Sequence, residues 1–117
     1  MVEIASVSIK WNSSKISTIN QNAVKGMFKM GFDIAAQARR NAPYVTGALR
    51  NTIRVEETAD KSVEVIAGGN YGGKIVDYAL KREEGPNRDS STEHYLQNAL
   101  ERIMSGDYIN TYFGNIL

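Results

Sequence analysis

The 117-residue chain contains no cysteine. That excludes disulfides, thiolate metal sites and a cysteine nucleophile in one step, and it suits a reducing compartment. Histidine occurs once, at His94. A zinc site or a Ser-His-Asp arrangement would therefore have to gather around a single imidazole from distant parts of the chain. No apolar run approaches the roughly 20 residues that a membrane-spanning helix needs. The opening "MVEIASVSIKW" lacks a basic segment followed by an apolar core, so no secretory signal and no membrane partner are expected. Proline is scarce, two in all, which makes the position of Pro43 informative.

Apolar residues make up 42% and charged residues 23% of the chain. These are near the globular average, so a folded chain is expected rather than a disordered one. The length suits a single domain spanning 1–117, with a core over about residues 4–105. The net charge is only +1, but its distribution is uneven. Residues 1–54 carry eight basic and two acidic groups, a net of +6. Residues 55–117 carry six basic and eleven acidic groups, a net of −5. Such polarity suits attraction to nucleic acid, stacking of copies basic side to acidic side, or simply a solvated surface.

Residues 4–11, "IASVSIKW", alternate and predict a strand with Ala5, Val7, Ile9 and Trp11 on one face. From about Lys15 to Asn41 the apolar residues Ile16, Ile19, Ala23, Met27, Met30, Ile34 and Ala38 recur at steps of three and four, the stripe of a long helix. Gly26 and Gly31 each cost about 1 kcal/mol inside a helix, so they mark a bend or a close approach by another chain. Pro43 ends the helix by pushing the preceding residue out of the α region. Residues 50–57 and 62–67 alternate again and predict a β-hairpin. "GGNYGG" over 68–73 reads as a loop. "KIVDYALKREE" reads as a third strand at its start, with a spacing that also permits a helical turn. Ser90 and Glu93 match a capping box ahead of a second helix that runs to about Ser105 and stops at Gly106. The apolar tail 106–117, with Tyr112 and Phe113, predicts either an interface arm or packing across the chain's own sheet. The fold class expected is α+β: a long N-terminal helix and a shorter C-terminal helix packed on a small antiparallel sheet.

Reactive chemistry finds little support. Gly68, Gly73 and Lys74 follow the phosphate-loop spacing, but Ile75 stands where a magnesium-binding hydroxyl is needed. His94 falls in the first turn of a predicted helix with no base–orienter pair beside it. Glu83 and Glu84, read as strand neighbours, would point to opposite sides. No metal ligands show a recognisable spacing, and no cofactor, metal or catalytic residue is expected. The clearest binding signal is the basic face of the first helix, formed by Lys25, Lys29, Arg39 and Arg40. Clustered Lys and Arg suffice for contact with a phosphate backbone.

The segment between helix and strand, "ARRNAPYVTGALRNTI", is more specific. It resembles the signature of a family of tailed-phage morphogenesis proteins: tail components, tail-completion, head–tail joining and minor capsid proteins. In that family a long helix ends in Ala-Pro, two variable residues and Thr-Gly, then a Leu-Arg-x-Ser-Ile-like segment. This chain has Ala42, Pro43, Thr46, Gly47, Leu49, Arg50, Thr52 and Ile53. Two further blocks agree in order: Tyr78, Ala79, Glu83 and Gly85, with Glu84 and Pro86 departing from the pattern, and then Tyr95, Leu96, Ala99 and Leu100. The resemblance implies a non-enzymatic virion-assembly protein of a tailed bacteriophage or prophage, put together in the host cytoplasm. It would form or join a ring of about six or twelve copies at the head–tail junction or tail terminus. Implied partners are other copies of the chain and connector or tail-tube proteins, with DNA in the lumen. Pro43, Thr46, Gly47, Leu49 and Arg50 would form a structural hinge. Tyr71 and Lys74 in the 68–74 loop, Glu83 and Glu84 beside the 84–90 loop, and Tyr112 and Phe113 in the tail are candidate contact residues. The alternative reading is a small DNA-binding module that uses the basic first helix. A small enzyme depending on His94 or Lys74 is a third class.

Overall fold

The computed structural model describes residues 4–9, 21–43, 47–58, 62–71, 74–87 and 90–114. The described order is β1 (Ile4–Ile9), α1 (Gln21–Asn41), α2 (Ala48–Thr52), β2 (Arg54–Glu57), β3 (Val63–Tyr71), β4 (Lys74–Val76), α3 (Ala79–Glu84), α4 (Tyr95–Met104) and α5 (Tyr108–Phe113). The four strands form one antiparallel sheet. β3 lies between β1 and β2, and β4 pairs with the far end of β3. The fold is α+β, with the N-terminal helix the longest element.

The alternation in the sequence sets the faces of the sheet. Val65 pairs with Val7 on one side and Val55 on the other, and this face packs under α1 and α4. The helical stripe does the rest: Met27, Met30, Ile34, Ala35 and Ala38 of α1 are buried, as are Tyr95, Leu96 and Ala99 of α4. Each large apolar side chain so buried contributes about 1.5–3 kcal/mol. Tyr95 is fully buried and donates its hydroxyl to the Ala79 carbonyl at 2.8 Å, which fixes α4 to the start of α3. Gly31 lets α1 approach the sheet, since a Cβ there would stand 3.0 Å from Val63 and 3.1 Å from Val55.

Several local expectations change. Residues 50–52 are not strand but the end of α2, and the strand starts at Arg54. A helical turn buries Leu49 and Thr52, three positions apart, on one side, and Ile53 then turns to extended backbone and is buried as the chain enters β2. Gly68–Tyr71 is not a loop but the continuation of β3 into a hairpin with β4, so Gly69 opposes Val76 and Tyr71 opposes Lys74. "KIVDYALKREE" holds both readings, strand at 74–76 and helix at 79–84. Glu83 and Glu84 therefore sit on a helix, not a strand. The capping box does not form. Ser90–Thr92 is a 3₁₀ turn, and Glu93 turns away to accept the Asn87 backbone N–H at 2.8 Å. Within the tail, Tyr108–Phe113 folds as α5 and packs on α1 rather than on the sheet, while residues 115–117 lie outside the described residues. The close approach that Gly26 signals is made by α5 of the same chain: a Cβ at Gly26 would overlap the Tyr112 carbonyl and stand 2.9 Å from the Phe113 ring. The expected helical residues 15–20, strand residues 10 and 11, and Thr46 lie outside the described residues.

Candidate functional site

The corner between α1 and the sheet is held by backbone geometry and three arginines. α1 closes with the Ala42 N–H on the Ala38 carbonyl, and Pro43 follows. Gly47 then adopts φ 82°, a left-handed conformation that side chains with a Cβ resist. Its carbonyl accepts the Asn51 N–H at 3.0 Å and so starts α2. Leu49 points into the core. Arg50 reaches back to the Ala42 carbonyl at 3.0 Å, and Arg39 reaches forward to the Ile53 carbonyl at 2.7 Å. The two guanidinium groups thus tie the helix end to α2 and to the strand entry. Thr52 is buried; its hydroxyl donates to the Leu49 carbonyl at 2.6 Å and accepts the Gly68 N–H at 2.8 Å. Arg54 completes the clamp by donating to the Thr52 and Gly68 carbonyls, with its guanidinium 4.8 Å from the centre of the Tyr71 ring.

The basic residues Lys25, Lys29, Arg39 and Arg40 are all exposed on the solvent side of α1. Arg40 is held by Gln37 at 3.2 Å. The single acid of this helix, Asp33, accepts a hydrogen bond from the Tyr112 hydroxyl. That contact and partial burial push the Tyr112 phenol up to about 12, burial being the larger cause. Tyr112 and Phe113 are thereby folded back on α1, half-buried. Phe32 stands among the basic residues with 58% of its surface exposed, beside Phe28 at 6.2 Å between ring centres.

Elsewhere, Tyr71 is 49% exposed at the tip of β3, and Ile75 on the facing strand is 64% exposed. Glu83 accepts the Leu96 N–H at 2.7 Å and the Gln97 N–H at 3.4 Å, which satisfies donors that the start of α4 leaves open. Glu84 is exposed. The residues singled out in the sequence thus fall on three separate surfaces: the α1 face, the β3–β4 hairpin and the α3–α4 junction. The exposed Phe32 and Ile75 and the glutamates of β2 and β3 are surface features that the sequence pattern did not single out. A helical wheel would have placed Phe32 outside the apolar stripe. The glutamates need the strand register, which the sequence does not display.

The geometry bears on the chemical alternatives. A phosphate loop requires strand, glycine loop and helix in succession. Here Gly68 and Gly69 lie within β3, and the next described element is not a helix but the antiparallel strand β4. His94 sits at φ 56° ahead of α4, its Nδ1 3.8 Å from Glu83, whose carboxylate is engaged in capping. Among the described residues no three His, Asp or Glu side chains are grouped to hold a metal ion, and no helix is long and apolar enough to cross a membrane.

No curated protein and no solved structure matches the chain. A family model does match residues 10–78, which include α1, the hinge, the sheet from β2 to β4 and the glycine hairpin; its description is "Bacteriophage HK97-gp10, putative tail-component". With more than half of its length matched, the chain belongs to the HK97-gp10-like family of bacteriophage tail components.

Proposed function

We propose that this structural tail component forms, or joins, a ring at the head–tail junction or tail terminus of a tailed bacteriophage or prophage. The observation that carries the reading is the pairing of the family match with a fold braced at the helix–sheet corner and charged unequally, +6 in residues 1–54 and −5 in residues 55–117. A subunit with unlike faces associates head to tail, and such contacts close into a ring when the rotation permits. Its partners are then other copies of the chain and the connector or tail-tube proteins that the ring meets, within a particle assembled in the bacterial cytoplasm. The hinge of Pro43, Thr46, Gly47, Leu49 and Arg50 serves rigidity rather than contact. The exposed Tyr71, Glu84 and Ile75 and the hairpin that includes Lys74 supply surface to neighbours.

The test is to make particles without this chain. Filled heads and finished tails should accumulate unjoined, or tails of irregular ends should appear, and adding purified protein should restore infectious particles. Full infectivity in its absence would overturn the reading. A second reading, a DNA-binding module, is favoured by the exposed row of Lys25, Lys29 and Arg40. It requires DNA affinity that falls steeply with salt while the protein keeps a monomer mass.

A further inference from the structure

The sheet has an outer face that the charge count alone does not reveal. α1 lies against Val55 and Val63, so the alternate positions turn away from it. Across the three strands those positions are Ser8, Glu64 and Glu56, aligned in register. Glu64 and Glu56 are directly opposite each other. Like charges so placed weaken a sheet, and a fold does not benefit from them unless something else meets them. Of the two carboxylates Arg54 pairs with Glu56, at 3.3 Å, its remaining hydrogen bonds going to the Thr52 and Gly68 carbonyls. The next row of the same face is Ser6, Ile66 and Arg54, with Ile66 buried and the Arg54 side chain largely so, and beyond it stands Ile4, 43% exposed.

The opposite side of the molecule is the solvent face of α1, with Lys25, Lys29 and Phe32. Among the described residues neither lysine has a carboxylate partner, and Asp33 is held by Tyr112. The two faces have spans of similar size. Lys25 and Phe32 are seven residues apart, about 10 Å along a helix. Glu64 and Gly68, the residue that Ile4 opposes, are four apart, about 13 Å along a strand.

We infer that the α1 face of one copy docks on the outer sheet face of the next, with Lys25 and Lys29 against Glu56 and Glu64 and Phe32 toward Ile4. The inference rests on the ring reading and specifies its contact. DNA would match the lysines and leave the opposed glutamates unexplained; a second copy accounts for both. The two surfaces differ, so the contact is heterologous and repeats around a ring.

Two charge-reversed forms of the full chain test it. One carries Lys25→Glu with Lys29→Glu, the other Glu56→Lys with Glu64→Lys. Each alone should lose assembly on tails prepared without the protein, measured as bound mass by sedimentation. An equal mixture should regain it, because an alternating ring of even number restores every contact. Phe32→Ser, which leaves all charges in place and alters an exposed position, should also lose assembly. Wild-type assembly by both charge variants would overturn the docking faces and leave the ring standing. Loss without recovery in the mixture of two folded variants would also overturn them. Failure of the natural chain to assemble on any tail would sink the ring and this contact together. If the lysine variant loses only DNA retention, the face belongs to DNA and the inference falls.

Discussion

At the scale of single residues, the corner depends on two positions whose neighbours tolerate little change. Gly47 holds φ 82°, where a β-branched residue is strained by about 1–3 kcal/mol. Gly47→Val is therefore expected to lower the unfolding free energy by that amount, read as a lower urea midpoint at unchanged slope; an unchanged midpoint would show that the turn is not constrained. Thr52 is the second. Its buried hydroxyl satisfies the Gly68 N–H across the sheet. Thr52→Val keeps the shape and removes the acceptor, which leaves a buried donor unmet at about 1–3 kcal/mol. Thr52→Ser should recover most of the loss, and equal stability of the Val and Ser forms would argue against the bond. Tyr112 provides a pH signature. Its phenol, about 12 in the fold, stands above the usual 10.0, so folding favours the protonated ring. The stabilisation is complete below about pH 10 and drains away as the pH rises to 12. An absorbance titration should show one phenol near 12 that disappears in Tyr112→Phe; identical curves would remove the Asp33 contact.

At the scale of elements, α5 tests how one segment seats on another. It has no fully buried residue, and its approach to α1 depends on the missing side chain of Gly26. Gly26→Ala should act in two directions. The helix gains about 1 kcal/mol of propensity, while α5 is pushed from its seat. Limited proteolysis should then cut faster around Ser105–Asp107 even though the main unfolding transition does not fall. Unchanged cleavage would mean that α5 accommodates the methyl group. Glu83 shows the same principle on α4. Its carboxylate, supplied by α3, meets the Leu96 N–H, so the helix is capped by a residue thirteen positions away rather than by Ser90.

For the molecule as a whole, the principal axes of 43, 28 and 22 Å describe an elongated body. Charged faces that meet across water-accessible contacts weaken as the screening length falls from about 10 Å at 0.1 M salt to about 3 Å at 1 M. A ring built on the proposed contact should therefore dissociate between those concentrations while the monomer keeps its melting temperature. Rings indifferent to salt would point to a contact dominated by apolar groups, with the β3–β4 hairpin and its exposed Tyr71 and Ile75 as the place to look.

The amino-acid order alone determined the α+β class, the helical stripe from Ala23 to Ala38, the end of that helix at Pro43 and the family to which the Ala-Pro…Thr-Gly hinge belongs. These are legible because they arise from local sterics and from periodicities of a few residues. The tertiary structure alone decided that Glu56 opposes Glu64, that Glu83 caps α4, that β3 runs on through Gly68 and Gly69, and that the tail returns to α1 over Gly26. Each of those joins positions far apart in the chain. Their pairing depends on how completed elements dock and slide into register, and a strand's pattern is equally satisfied by several registers that place the same face inward.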